Sequence, residues 1–453
     1  MPRIRRDMDM TQGVIWKQLL YFAAPMALGL LFQQLYNTVD TIVVGQFVGR
    51  EALAAVGSTT SIINMLVGFS AGLSTGASVV ISQCYGARDY QGLSRAVHTT
   101  MAFTLLLAAA ATLAGLVLVD PMLRLMDTPA DVFEQAHTYL TIYYCGMLGL
   151  LIYNMGSGIL RAVGDSRRPL YFLCFSAAVN TVLDLLFVVL FHMGVAGVAY
   201  ATIIAQFLSA LLVLWVLSHD HTPYALHLSQ VRLDKTMLRR IFDIGFPAGL
   251  QQMVTSFSNV FVQSYINYFG SASMAGWSTY NKLDSFILIP VQGIALAITT
   301  FVGQNYGAGK MKRARAGVTQ AQIISVSITM LLTVITIVFS RTFIYLFTSD
   351  PDVVRYGVYF ITLISPFYVL MCVYQNLAGA LRGVGNAKQP MAMMLLSFVV
   401  IRQIYLYMMR HFLGNPLAGI ALAYPVGWLI CSVLMTLYYR KCMTALCQKE
   451  ETE

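Results

Sequence analysis

The sequence predicts an all-α membrane protein, twelve transmembrane helices in two pseudo-symmetric six-helix lobes, on three observations. Hydrophobic residues make up 57% of the 453 and charged residues 11%, at a mean hydropathy of +0.67. Too little charge remains to clothe a surface in water. Apolar stretches of about 18–28 residues recur between short polar breaks, and about 20 residues of helix cross a hydrocarbon layer of roughly 30 Å. Finally, Gln83-Cys84-Tyr85-Gly86-Ala87 returns as Gln304-Asn305-Tyr306-Gly307-Ala308, and Leu160-Arg161-Ala162-Val163-Gly164-Asp165 as Leu381-Arg382-Gly383-Val384-Gly385-Asn386, each displaced by 221 residues. Each copy is about half the chain, far longer than a solenoid repeat, so the duplication builds two lobes.

In order, the spans are expected at 16–46, 52–80, 98–119, 135–158, 169–191, 196–217, 241–268, 275–302, 318–340, 355–379, 391–412 and 417–438. The basic start, Met1-Pro2-Arg3-Ile4-Arg5-Arg6, is followed by no small-residue cleavage site, and the apolar run from Trp16 is too long for a signal peptide. Spans one to six form an N-terminal lobe, 1–217, and spans seven to twelve a C-terminal lobe, 241–440. Between them 218–240, with His219, His221, His227, Arg232, Lys235 and Arg239, is the longest polar interruption and reads as a linker; 441–453 reads as a tail. With the N-terminus placed in the cytoplasm, 22 of the 29 Lys and Arg residues fall on that side, among them Lys310, Lys312, Arg313 and Arg315. Five fall opposite, Arg50, Arg124, Arg341, Arg355 and Arg410, while Lys282 and Arg402 lie within spans. That asymmetry puts both termini, the linker and the tail inside. An even number of spans per copy makes the copies parallel, related by an axis along the membrane normal, which is an architecture of transporters.

The net charge of +9 does not indicate a nucleic-acid partner, because the basic residues are scattered among short loops. Seven cysteines, Cys84, Cys145, Cys174, Cys372, Cys431, Cys442 and Cys447, are odd in number and mostly within spans, with no Cys-x-x-Cys or zinc-type spacing. They predict reduced thiols, no metal cluster and no cofactor. His219-Asp220-His221 has no further clustered ligand and reads as solvated linker rather than a metal site.

Three of the twenty acidic residues, Asp40, Asp184 and Asp284, lie well within apolar helices; the other seventeen fall in loops, tails or span ends. A carboxylate in the bilayer costs at least about 2.5 kcal/mol, so it is kept where it faces a partner or a wet cavity. A helix–helix hydrogen bond is the plainer alternative. On the first span Gln33, Tyr36 and Asn37 precede Asp40 by seven, four and three residues and share its face. The fifth span sets Asn180 one turn before Asp184, and the sixth offers the hydroxyl of Thr202. Two carboxyls, an amide and a hydroxyl make a cage for a proton or for Na⁺. Close carboxyl groups in an apolar setting repel one another when both are charged, which suits exchange of a proton; hard oxygen ligands suit Na⁺ at Asp40 and Asp184 equally. Ligand chemistry leaves both open.

The second lobe departs from this pattern. Displaced by 221, Asp184 falls on Tyr405 and Asp40 on Phe261 or Val262, so the acidic pair has no counterpart. In its place stand Asn259 and Gln263 on the seventh span, Asn281 and Asp284 on the eighth, Gln375 and Asn376 on the tenth and Arg402 on the eleventh, polar groups suited to contact a bound molecule. Asp284 either pairs with Arg402 or is free to attract a cation. Pro25 and Pro247 lie at matching places near the starts of spans one and seven, where a missing N–H permits bending or is merely tolerated. The 24 methionines and many aromatics read mostly as lipid-facing or core.

The Pro25 to Asp40 stripe, the paired Gln-x-Tyr-Gly-Ala tracts, the Leu-Arg-(Ala/Gly)-Val-Gly-(Asp/Asn) tracts and Asn180-x-x-x-Asp184 together resemble the multidrug and toxic compound extrusion (MATE) family over nearly the whole chain, most of all its DNA-damage-inducible-type branch. The resemblance implies a cation-coupled antiporter, driven by H⁺ or Na⁺, that exports small organic, mainly cationic compounds from the bacterial inner membrane. It assigns ion coupling to Asp40, Asn180, Asp184 and Thr202, drug contact to Gln34 and Asn154, and bending to Pro25. Asp284 is similar to an acidic position found in some members, but Arg402 beside it departs from a purely anionic pocket and leaves cargo charge open. Two fused lobes are expected to complete a pathway within one monomer embedded in lipid. A lipid-linked precursor flippase of the wider superfamily would call for extra spans and a cationic cavity. An intramembrane enzyme would need His-Glu-x-x-His, a Ser-His pair or a Gly-rich phosphate loop, none of which occurs. Buried acids speak against a non-transporting scaffold.

Overall fold

The structure, a computed structural model, describes residues 8–126, 128–219 and 222–452. Asp220, His221 and the basic cluster of Arg3, Arg5 and Arg6 lie outside the described residues. Among those described, the chain is mostly helical, without a strand, and its longer helices form twelve rods, with a short helix, Ser340–Tyr345, between the ninth and tenth. They are α1 Ile15–Val48, α2 Arg50–Gly86, α3 Tyr90–Leu125, α4 in two pieces (Ala130–Cys145 and Met147–Ala162), α5 Arg167–Leu190 and α6 Gly194–His219. After the connection come α7 Lys235–Asn267, α8 in two pieces (Ser271–Ile287 and Ile289–Gly307), α9 Met311–Val338, α10 Pro351–Gly383, α11 Lys388–Phe412 and α12 Leu417–Glu451.

Nine of these rods are each long and apolar enough to cross a bilayer, and α8 makes a tenth when its two pieces, bent by 41°, count as one. The other two fall short for reasons written in their residues. Gly146 divides α4, whereas α7 opens on Lys235, Arg239, Arg240 and Asp243 and then carries Gln251, Gln252, Ser256, Ser258, Asn259 and Gln263. Helix is the only open-ended element that satisfies its own backbone in lipid, so a chain this apolar has little alternative.

Two compact units emerge, one mainly Leu28–Gly249 and the other Asp9–Ala27 with Leu250–Glu453. Thus α1 and α7 each pass from one unit to the other, and each does so two residues beyond its proline, Pro25 or Pro247. Small residues admit both passing helices. In the first unit Gly72 and Gly76 of α2 lie directly on the backbone of Gly249 and Gly245 in α7, where a Cβ would collide. At the matching place in the second unit, Gly293 of α8 faces Ala27 of α1, where a Cβ would sit 3.1 Å from the alanine methyl. Such close backbone approach replaces a hydrophobic driving force that lipid cannot supply.

The repeated tracts that betray the duplication are helix-ending turns. Gln83 O accepts from Ala87 N at 3.0 Å and Gln304 O from Ala308 N at 3.0 Å; Leu160 O accepts from Asp165 N and Leu381 O from Asn386 N, both at 2.9 Å. Gly164 and Gly385 each adopt φ +91°, a left-handed conformation that closes the helix. Asp165 then caps α5, accepting from Arg167 N and Arg168 N at 3.1 Å each.

The connection is shorter than 218–240, and part of it is packed. Tyr224, Ala225 and Leu226 are buried, Leu226 N donates to Leu217 O at 2.8 Å, and His227 N donates to Nε2 of His98 at 3.0 Å. Residues 441–452, read from the sequence as a tail, continue α12 as helix.

Candidate functional site

In the first unit α1, α5 and α6 bring Asp40, Asn180, Asp184 and Thr202 together. Asp40 is 9% exposed, Thr202 3%, and Asn180 and Asp184 0%. The carboxyl groups of Asp40 and Asp184 meet within hydrogen-bonding reach of each other, and the hydroxyl of Tyr36 reaches both Asp40 and Thr202. No other described residue hydrogen-bonds either oxygen of Asp184, Oδ1 of Asp40 or the side-chain amide of Asn180. No Lys, Arg or His pairs with either acid among the described residues. Two carboxylates cannot hydrogen-bond one another unless one of them carries a proton, and their charges repel when both are ionised.

The site's walls were missed in the sequence. Tyr139 and Tyr143 of α4 are buried within electrostatic reach of Asp40, and Gln206 of α6 stands near Tyr143. Their spacing of four is ordinary for a core stripe, so only contact distinguishes them. An apolar layer built from Val43, Val188, Val195 and Val198 packs with Tyr139 and withholds water from that side. A widened π-helical turn, Leu186–Leu190, begins two residues after Asp184; such turns gather at functional positions.

The remaining expected contacts of this unit stand apart from the acidic pair. Gln33 and Gln34 are half-buried and Asn37 is exposed, and none makes a side-chain hydrogen bond among the described residues. Asn154 belongs to a different junction, donating from Nδ2 to Ser70 Oγ at 3.4 Å while its carbonyl accepts from Ser74 Oγ at 2.6 Å.

In the second unit Asp284 and Arg402 have separate partners, and no ion pair joins them among the described residues. Tyr280 Oη donates to Asp284 Oδ1 at 3.4 Å, and the hydroxyl of Tyr368 reaches both Tyr280 and Asp284. Tyr280 stands four residues before Asp284 as Tyr36 does before Asp40, a signal legible in the sequence. Arg402, 2% exposed, donates from Nη2 to Ser258 Oγ at 2.6 Å and to Asn259 Oδ1 at 3.0 Å, and from Nε to Phe398 O at 3.0 Å. Its guanidinium also lies 4.8 Å from the ring centre of Tyr424. Gln263 is engaged by Asn267 at 2.8 Å, Asn281 and Gln375 are half-buried, and buried Asn376 donates to Gln322 at 3.3 Å. The cysteines are free thiols, and among the described residues no three His, Cys, Asp or Glu side chains gather for a metal.

A family profile described as MatE matches residues 25–186 and again 247–408, well over half of the chain. The chain belongs to the MatE family. It is similar to the probable multidrug resistance protein YpnP of Bacillus subtilis (strain 168), at 33% identity over 95% of this chain and 96% of that one. A second relative from the same organism, the probable multidrug resistance protein YoeA, is 26% identical over 94% of each chain. Among solved structures, one described as the outward-facing conformation of a multidrug resistance MATE family transporter of the MOP superfamily superposes with a TM-score of 0.90 at 25% identity, covering 97% of this chain and 98% of that one. As a MatE protein the chain is a multi-pass membrane protein of transporter architecture.

The two MatE stretches begin and end 222 residues apart while the repeated tracts within them are 221 apart, so the offset between the copies changes along the chain. A π-helical turn holds an additional residue, and Leu396–Ile401 of α11 is such a turn. Beyond it the register has moved by one, so Asp184 corresponds to Leu406, equally buried at 0%, rather than to half-buried Tyr405. In the same register Asn180 corresponds to Arg402, Tyr36 to Ser258, Asn37 to Asn259 and Thr202 to Tyr424. Arg402 therefore occupies, with equivalent neighbours, the place that the polar cage occupies in the first unit.

Proposed function

We propose that this MatE protein is a cation-coupled exporter of small organic compounds, with Asp40 and Asp184 taking the coupling ion and Asn180, Thr202 and Tyr36 supporting it. One observation carries the reading: two buried carboxyl groups in mutual contact, without a basic partner, in a helix junction whose amide is unsatisfied. The multidrug names of its relatives support an exporter. Ion uptake at the pair neutralises charge in an apolar setting, which changes the relative free energy of two conformers; cargo with the opposite preference is then driven outward by the ion gradient. Near-complete switching needs a differential preference of about 5 kcal/mol. Pro25, two residues before α1 changes unit, is the position at which this cycle would bend the helix. Gln33, Gln34, Asn37, Asn154 and Asp284 are the first candidates for cargo contact. Its membership of the MatE family supports a bacterial inner membrane, and the positive-inside asymmetry supports both termini in the cytoplasm.

Liposomes holding the purified protein, given a pH gradient or a Na⁺ gradient separately, test this by the efflux of a fluorescent cationic dye. One gradient should drive efflux, and Asp40→Asn and Asp184→Asn should each abolish it while the protein still purifies as a folded species. Undiminished gradient-driven efflux by both variants would remove the mechanism.

A further inference from the structure

A cavity of about 360 Å³ lies inside the second unit, where α9, α10 and α12 converge. Arg315 and Arg440, both exposed, line it together with Gln322 and Tyr439, and much of the remaining lining is aliphatic, including Ile323 and Leu377. Neither guanidinium meets a carboxylate among the described residues; the nearby Glu451 is engaged by Lys312 at 2.9 Å. Tyr439 Oη and Gln322 Nε2 are buried without a hydrogen-bond partner, although Oε1 of the same glutamine accepts from Asn376. Both atoms can donate, and a buried donor left unsatisfied is destabilising by about 1–3 kcal/mol. Two unneutralised cations and two idle donors around one cavity specify an anion.

In the first unit the connecting chain itself lies against the same junction. Displaced by 221 along α3 and by 222 along α6, Arg315 falls on Ser94, Thr319 on His98, Tyr439 on Leu217 and Arg440 on Ser218. There α6 stops at His219 and the chain folds back over the junction, with Leu226 N on Leu217 O and His227 N on His98. In the second unit α12 runs straight on to Thr452, and the junction keeps its cavity. One copy seals the position with its own apolar chain; the other lines it with arginines.

We propose that this cavity binds the phosphate group of an anionic phospholipid, with Arg315 and Arg440 on the phosphate, Tyr439 and Gln322 donating to headgroup oxygens, and an acyl chain along the aliphatic wall. Basic pockets between membrane helices recognise such headgroups through the same chemistry. A free phosphate ion would satisfy the arginines but leave the aliphatic wall unused.

Native mass spectrometry of the detergent-solubilised full chain, titrated with phosphatidylglycerol or phosphatidylcholine, tests the proposal. Wild type should retain one tightly held phosphatidylglycerol, weakened about fivefold in Arg315→Gln and again in Arg440→Gln, with phosphatidylcholine uptake equal in all three. Tyr439→Phe keeps every charge and should lower phosphatidylglycerol retention without changing the thermal midpoint by more than that lost ligand explains. Equal phosphatidylglycerol retention by wild type and both arginine variants would overturn the site. Displacement of the lipid by inorganic phosphate at comparable concentration would overturn the lipid and leave a soluble-anion pocket. Neither result bears on Asp40 and Asp184.

Discussion

The two halves of this chain carry the same helices and equivalent helix-ending turns, yet at one matched junction they hold residues of opposite charge. In the first unit the junction of α1, α5 and α6 contains Asp40 and Asp184 in contact; in the second the corresponding junction of α7, α11 and α12 contains Arg402 fixed by Ser258, Asn259, the Phe398 carbonyl and the Tyr424 ring. A guanidinium, permanently charged and held by three hydrogen bonds, keeps its proton, whereas a carboxyl group can gain or lose one. Duplication therefore supplied the scaffold twice, and the two copies now place different chemistry at the same junction: carboxyl groups in one, a fixed guanidinium in the other.

The largest test of that contrast is loss of coupling. Asp184→Asn and Asp40→Asn are expected to reduce gradient-driven efflux to the protein-free background, while Asp284→Asn, held by tyrosines outside this junction, keeps the gradient requirement and alters only which cargo is moved. If Asp284→Asn alone abolished coupling, the division of labour would be reversed. Next in size, Arg402→Asn installs the residue of the first unit in the second. It removes three charge-assisted hydrogen bonds, each worth about 1.5–3 kcal/mol, so a clear fall in unfolding temperature is expected with the ion requirement intact.

Packing offers a smaller but cleaner comparison. Gly72→Ala and Gly76→Ala should each cost about 1–3 kcal/mol, because the added methyl meets the backbone of Gly249 or Gly245; Gly293→Ala should cost less, since it meets the side chain of Ala27 at 3.1 Å. Thermal unfolding in detergent ranks the three. Tyr36→Phe and Tyr280→Phe each remove one hydroxyl from a carboxyl group, and the expected effect is a severalfold change in the ion concentration for half-maximal efflux in the first variant and none in the second.

The smallest effect concerns the connection that only the first unit possesses. Asp234 accepts from Met237 N at 3.0 Å and Thr236 N at 2.9 Å and pairs with Arg95 at 3.4 Å, and these bonds to its ionised form hold its carboxyl below the ordinary range. A group depressed in this way stabilises the docked connection above its unfolded pKa and loses that contribution as pH falls through the folded value. Limited proteolysis between His227 and Lys235 should thus be faster at pH 3 than at pH 7, with Asp234→Asn cleaved at a similar rate at both.

How much of this was legible follows from what kind of signal each feature leaves. Buried acids in apolar helices announce themselves by composition, so Asp40, Asp184 and Asp284 were found; the pairing of the first two was suggested by the faces of α1 and α5. Tyr139 and Tyr143 were not found, because a tyrosine stripe on a helix reads the same whether it packs a core or faces a carboxyl. A π-helical turn leaves no mark in hydropathy, so the sequence pattern alone does not say whether Arg402 or Ile401 takes the place of Asn180 in the second copy.

By itself the sequence determined the helical membrane class, the duplication and the inventory of charges that lipid would tolerate only inside the protein, because each of these depends on composition and periodicity along the chain. Tertiary structure decided which charges meet. Asp40 and Asp184 are 144 residues apart in the sequence, and no local rule brings them within reach of one another; helix packing does, just as it gives Arg402 to Ser258 and Asn259 rather than to Asp284.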